Sequence, residues 1–243
     1  MRTLTFANRN VKEILRDPLN LFFGLGFPVV LILLLSAIQA NIPVELFEIE
    51  HLTPGITVFG LSFMTLFSAT LVARDRESSF LQRLYTAPLL PSDFILGYML
   101  PLLPISIAQS AVCYIVAIAL GLPVGLNIIY AVIALIPISV LYIGLGLLFG
   151  SLLNVKQVGG VCGALLTNLS AWLSGVWFDL SLVGGAFEKL ARLLPFFHAV
   201  ELERTIIDSR FATAVEHLFP IAVYDAVVTA LAVAFFLRQM KKQ

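Results

Sequence analysis

The residues able to do chemistry in this 243-residue chain are few and scattered. Three histidines, His51, His198 and His217, and two cysteines, Cys113 and Cys162, share no metal-ligand spacing, and neither a His-Glu-x-x-His helix nor a Gly-x-Ser-x-Gly elbow is present. A hydrolase therefore has no assembled nucleophile or zinc pair to work with. No Gly-x-x-x-x-Gly-Lys-[Ser/Thr] phosphate loop occurs, so nucleotide hydrolysis has no sequence basis in this chain. The remaining candidate is Asp225, one carboxylate inside the otherwise apolar run from Leu218 to Leu237. At the centre of a bilayer an Asp costs about 2.5 to 3.5 kcal/mol, and the Leu, Ile, Val and Phe residues around it return roughly 0.3 to 0.6 kcal/mol each. Such a group either serves passage of a proton or substrate, or is a structural carboxylate bonded to a Ser, Thr or Tyr of a neighbouring helix.

The elements that must position these residues are apolar helices. Residues 94–155 contain no Asp, Glu, Lys or Arg. As helix they would extend about 90 Å, roughly three times the ~30 Å hydrocarbon core of a bilayer. The run must therefore cross more than once, and the Gly121-Leu-Pro-Val-Gly125 turn divides it into spans at about 94–120 and 126–153. Further charge-poor segments at about 21–40, 54–73, 158–178 and 218–237 make six transmembrane helices. Backbone groups in lipid must be satisfied within their own segment, and barrel-type alternation is absent, so the chain is predicted to be an all-α membrane protein. Cys113 and Cys162 fall inside these spans and read as small buried residues without a disulfide.

Charge sorts by side. Fifteen basic residues balance fifteen acidic ones, and eleven of the fifteen fall on one side of the six-span arrangement: Arg2, Arg9, Lys12, Arg16, Arg74, Arg76, Arg83, Lys156, Arg238, Lys241 and Lys242. The positive-inside rule makes that side, with both termini, cytoplasmic. Charges sorted this way give no patch for nucleic acid. The charged stretch Met1 to Asn20 precedes a full-length span, which argues against a cleaved signal peptide.

Two segments sit at the cytoplasmic edge. In residues 1–17, Leu4, Ala7, Val11 and Ile14 recur at helical spacing with the cations on other faces, which predicts an amphipathic interfacial helix, with membrane lipid or a docking surface as its contact, ended by Asp17-Pro18. In residues 74–87, charges come first and Phe80, Leu81 and Leu84 follow along one stripe, with Pro88 and Pro91 as stops. An apolar ridge beside charge suits docking on another protein.

Arg74-x-Arg-Glu, Leu81-x-Arg-Leu-x-Thr-Ala-Pro88 and Pro91-Ser-Asp-Phe-Ile-Leu-Gly97 resemble the signature after the second span of ABC-2 type permeases, in particular their drug-efflux branch. Ser78-Ser79 stands where that family usually has Gly-Thr. Arg16-Asp-Pro-Leu with Pro28, Leu173-Ser-Gly-Val-Trp-Phe and Leu194-Pro-Phe-Phe-His-Ala are similar to the family's first-span entry and its segment after span five. The resemblance implies one transmembrane domain over residues 1–243, the permease of an ATP-driven exporter in the plasma membrane. It would work with two copies of a separate ABC ATPase subunit and a second permease, identical or closely related. ATP and magnesium would sit on the ATPase, with no cofactor on this chain. The family's coupling helix maps to residues 74–87, assigning ATPase contact to Arg74, Asp75, Arg76, Glu77, Phe80, Leu81, Arg83 and Leu84. The cargo class implied is an amphipathic drug, antimicrobial or lipid-like molecule. Polysaccharide or glycolipid export, and ion-coupled transport through Asp225, are the alternatives.

Outside the bilayer, residues 184–216 are too polar to span, yet Phe187, Leu190, Leu193 and Leu194 repeat helically and Pro195 interrupts them, predicting two short helices. In the resembling family this region dips into the outer leaflet. Trp177, Phe178, Phe196, Phe197 and His198 then either line a substrate exit or form an interfacial aromatic belt. Pro101, Pro104 and Pro137 either hinge their spans or simply shape them. Gly146 with Gly150, and Gly159 with Gly163, let helices approach closely, within one subunit or across a dimer.

Overall fold

A computed structural model describes residues 2–42, 47–78 and 91–240. Every regular element among them is helical. Helix α1 (Arg2–Leu15) is followed by α2 (Pro18–Asn41), which contains a π segment at Phe22–Gly26. Asp17 caps α2 by accepting the Asn20 amide N–H at 3.2 Å, so the sharp entry foreseen at Asp17-Pro18 has a bonding reason. Then come α3 (Ile49–Glu77), α4 (Pro91–Ala119) and α5 (Leu126–Leu152). A helical rod, α6, covers residues 155–172, with a π segment at Gly159–Leu166. The chain ends in α7 (Gly185–Leu193), α8 (Pro195–Ile207) and α9 (Phe211–Met240).

Five of these, α2, α3, α4, α5 and α9, are long and apolar enough to cross a membrane. Their bounds exceed the expected spans: α3 begins before residue 54 and runs past 73, and α9 takes in residues 211–217, including His217. The rod α6 is about 27 Å long and carries Lys156, Gln157 and Asn168, which lower its hydropathy. It stops at Trp172 rather than Phe178, because Gly175 at φ +77° turns the chain there. Gly121, at φ +111°, makes the foreseen turn between α4 and α5.

Helix α3 is the axis of the bundle. Of its most apolar stretch 89% is buried, against 17% for α2 and for α9. Small residues permit this, since lipid offers no hydrophobic gain for helix association and close packing must supply the attraction. Gly146 and Gly150 of α5 lie directly on α3: a Cβ on Gly146 would fall 2.4 Å from the Thr65 carbonyl oxygen, and one on Gly150 2.6 Å from that of Ala69. Across the same seam Thr65 Oγ1 donates to the Tyr142 carbonyl at 2.7 Å and Ser68 Oγ to that of Ile143 at 3.1 Å. Gly146 and Gly150 thus serve packing within the subunit. Gly159, by contrast, has nothing within 4 Å of its Cβ position.

Both cysteines are free and buried. The helices continue through Pro101, Pro104 and Pro137. Ends of α1, α3, α4, α5 and α9 gather at what is here termed the terminal face; the turns around Gly175 and helices α7 and α8 occupy the opposite face.

Candidate functional site

The terminal face is organised by α1. Its buried residues are Phe6, Ala7, Asn10 and Ile14, while Leu4 and Leu15 are exposed, so the contact stripe is rotated from the purely apolar one read in the sequence. The reason is Asn10, which is polar yet fully buried because its Nδ2 donates to the Gly97 carbonyl of α4 at 2.9 Å. Phe6 packs over the same glycine, where a Cβ would lie 2.2 Å from its ring, and stacks edge-on with Tyr98. Thr3 donates to Asp93 at the start of α4.

The other flank of the junction is the last turn of α3. Arg9 grips Asp75 through both guanidinium nitrogens at 2.5 and 2.6 Å, and the Tyr98 hydroxyl donates to the same carboxylate at 2.8 Å. Asp75 is 1% exposed, so these three contacts satisfy a charge that could not otherwise be buried. Arg76 donates to the Ser151 and Leu153 carbonyls, closing the C-terminal end of α5, and Glu77 accepts the Val155 amide at 2.9 Å, opening α6. Arg74 is half-exposed and lies 3.6 Å from Asp17. Arg74, Asp75, Arg76 and Glu77 are thus the C-terminal turn of α3. Phe80, Leu81, Arg83 and Leu84 lie outside the described residues, as does most of the expected coupling helix. Helix α1 nonetheless bonds both flanks of the intervening residues 79–90: Asp75 before them, Asp93 and Gly97 after.

The opposite face holds a cavity of about 910 Å³. Trp177, Phe178 and Phe197 line it, whereas Phe196 is buried on Tyr142 at 6.0 Å between ring centres. His198 faces His217 of α9, with their Nδ1 atoms 3.0 Å apart. Burial, then the neighbouring His217, pulls the His198 pKa below its usual value, so at neutral pH the pair shares one ring N–H rather than opposing two cations. Behind the cavity Arg204, 7% exposed, donates to Glu201 and to the Gly175 carbonyl, both at 3.1 Å. Next to it Glu203 is fully buried and accepts the Tyr114 hydroxyl at 2.7 Å. Burial holds its carboxyl well above the ordinary range, against the lowering effect of the Tyr114 hydrogen bond. Asp225, in α9, has a buried Oδ1 with no hydrogen-bond partner among the described residues, so the Ser, Thr or Tyr partner foreseen for it is not found there.

The sequence over residues 1–207 matches the protein family described as ABC-2 type transporter. The chain belongs to that family. It is also 23% identical over 203 residues to "Probable multidrug ABC transporter permease YbhR" of Escherichia coli strain K12, and equally to that of Escherichia coli O157:H7, covering 82% of this chain and 54% of each relative. The chain therefore spans about half the length of the curated relatives it matches. Family membership and five apolar helices make it a multi-pass membrane protein.

The ABC-2 match contains the whole α1 junction and the cavity-lining residues through Arg204, and stops before α9 and Asp225. Four residues that organise this ABC-2 protein are not legible as such. Asn10 and Arg9 look like solvent-facing members of an amphipathic helix. Glu203 and Arg204 look like the polar face of a short outer helix. Their only sequence signal is that Glu201-Leu-Glu-Arg204 interrupts an otherwise apolar helical pattern that resumes at Ile206.

Proposed function

We propose that the chain is the permease subunit of an ATP-driven ABC exporter, taking an amphipathic or lipophilic small molecule across the plasma membrane by alternating access. The carrying observation is the α1 junction: one helix bonded to both flanks of residues 79–90 can pass a displacement of that segment into α3, the central helix, and α4 together. In this reading residues 79–90 dock on a separate ABC ATPase, present in two copies and carrying ATP and magnesium, and the terminal face with both chain ends is cytoplasmic. Arg76 and Glu77 extend the same link to α5 and α6.

We read α6 as the sixth crossing. In support, it begins beside Glu77 at the terminal face and leads to Gly175, whose carbonyl meets Arg204 on the opposite face. Its outward side carries Gly160, Ala164 and Asn168 at four-residue spacing, and Asn168 would be poorly solvated by lipid. A second permease, identical or closely related, covering this stripe would shelter it. The opposite-face cavity, about 910 Å³, falls within the size range of drug-binding pockets.

The test is co-purification with candidate ABC ATPases. The variant Phe80→Ala, Leu81→Ala, Leu84→Ala is expected to lose at least tenfold in ATPase binding, which corresponds to about 1.4 kcal/mol and is well within the reach of three apolar anchors. Wild-type protein that captures no ABC ATPase would remove the reading. A second reading, ion-coupled transport, is favoured by one observation, the orphaned Oδ1 of Asp225. It predicts proton-driven transport without ATP that Asp225→Asn abolishes; transport that follows ATP and survives Asp225→Asn rules it out.

A further inference from the structure

The opposite-face cavity combines aromatic rings with an unbalanced charge. Phe47, Trp177, Phe178 and Phe197 line it, and Trp177 is held edge-on against Phe59 of α3 at 5.5 Å between ring centres. Phe197 is covered on one face by the Arg192 guanidinium, 5.0 Å from its centre.

The cationic groups of the wall are already engaged. Arg204 is consumed by Glu201 and the Gly175 carbonyl, and Arg192 by Glu188 at 2.9 Å and by the Phe197 ring. Neither Glu48, at the entry to α3, nor Asp179 forms an ion pair within 4 Å among the described residues, although Asp179 lies in the field of Arg192 and Arg204. Asp179 is fixed at the rim, because one of its oxygens caps the Leu180–Leu182 turn through the Ser181 amide at 2.8 Å. Apart from His51, the lining carries three carboxylates, Glu48, Asp179 and Glu201, against two guanidiniums, Arg192 and Arg204, so its charge is negative by one. A site of this kind favours cations over anions, and aromatic faces favour weakly hydrated organic cations over metal ions.

We propose that this cavity binds lipophilic organic cations, with the aromatic rings receiving the apolar body and Glu48 and Asp179 the charge. The inference deepens the exporter reading by naming a substrate class for it, and rests on that reading only for the direction of transport.

Two probes of nearly one shape and opposite charge, tetraphenylphosphonium and tetraphenylborate, separate charge recognition from partition into lipid. Binding is measured to the full chain in nanodiscs of zwitterionic lipid, as the excess over empty nanodiscs. The wild type is expected to bind the phosphonium at least tenfold more tightly than the borate. In the double variant Glu48→Gln, Asp179→Asn the new side-chain amide oxygen can still accept the capping bond of the turn. That variant is expected to weaken the phosphonium roughly tenfold and leave the thermal unfolding midpoint unchanged. Trp177→Ala should weaken both probes. Equal affinities for the two probes, no protein-dependent phosphonium binding, or a double variant that is folded and binds as wild type overturns the proposal. ATPase capture through residues 79–90 is read in a separate assay, so failure here leaves the exporter reading standing, and failure there leaves this binding result standing.

Discussion

Gly146→Leu is expected to destabilise the bundle by about 3 kcal/mol, the upper end for an overpacked core. The new side chain would enter where a single Cβ already meets the Thr65 carbonyl oxygen at 2.4 Å, and α3 cannot retreat because it is buried on nearly every side. Retreat would also break the Thr65 to Tyr142 and Ser68 to Ile143 hydrogen bonds, which have no water to replace them in this part of the bundle. Thermal unfolding of purified protein in detergent measures the effect. Gly159→Leu is the control: its Cβ position is open, and the subunit should keep its wild-type midpoint. Equal losses in the two variants would mean that α3 and α5 are not packed as described.

Asp75→Ala is expected to cost about 2–3 kcal/mol, below the ~3–5 kcal/mol of a fully buried pair because the Arg9 side chain is 36% exposed. The change leaves the Tyr98 hydroxyl facing an empty site and Arg9 held only by Glu13 and Asn10 of its own helix, so α1 should release before the rest of the bundle unfolds. Amide hydrogen exchange resolved along the chain reads this directly, with faster exchange confined to α1 and the adjoining ends of α3 and α4. Unchanged exchange in α1 would show that its apolar contacts alone hold it.

Much of this architecture is legible in the residues. The charge-free stretch 94–155 and the glycine turn within it yield α4 and α5, and Pro195 marks the boundary between α7 and α8. These features depend on local chemistry, on how apolar a segment is and where its backbone must turn. The junction is another matter. Arg9 and Asn10 are far in sequence from their partners Asp75 and Gly97, and each polar side chain taken alone reads as facing outward; only the packing of α1 on α3 and α4 shows that they exchange water for protein groups. The Gly146-x-x-x-Gly150 spacing announces a close approach without naming the partner, which proves to be α3. For the cavity, Trp177, Phe178 and Phe197 stand out as aromatics, but Glu48 and Arg204 come from elements whose meeting with them depends on the fold. Asp225 is visible at once as an intramembrane carboxylate, and its environment is not: a lone acidic residue carries no pattern that names its neighbours.

In the exporter reading the α1 junction carries motion between the ATPase and the bundle, and one variant separates that role from assembly. Asp75→Asn keeps the side-chain shape and leaves residues 79–90 untouched, while removing the charge that Arg9 grips. The measurement is permease-dependent ATP hydrolysis by the co-purified complex in lipid. The Asp75→Asn complex is expected to assemble as wild type, with its hydrolysis reduced to the rate of the ATPase alone. An assembled Asp75→Asn complex with full permease-dependent hydrolysis would rule out that role for the junction.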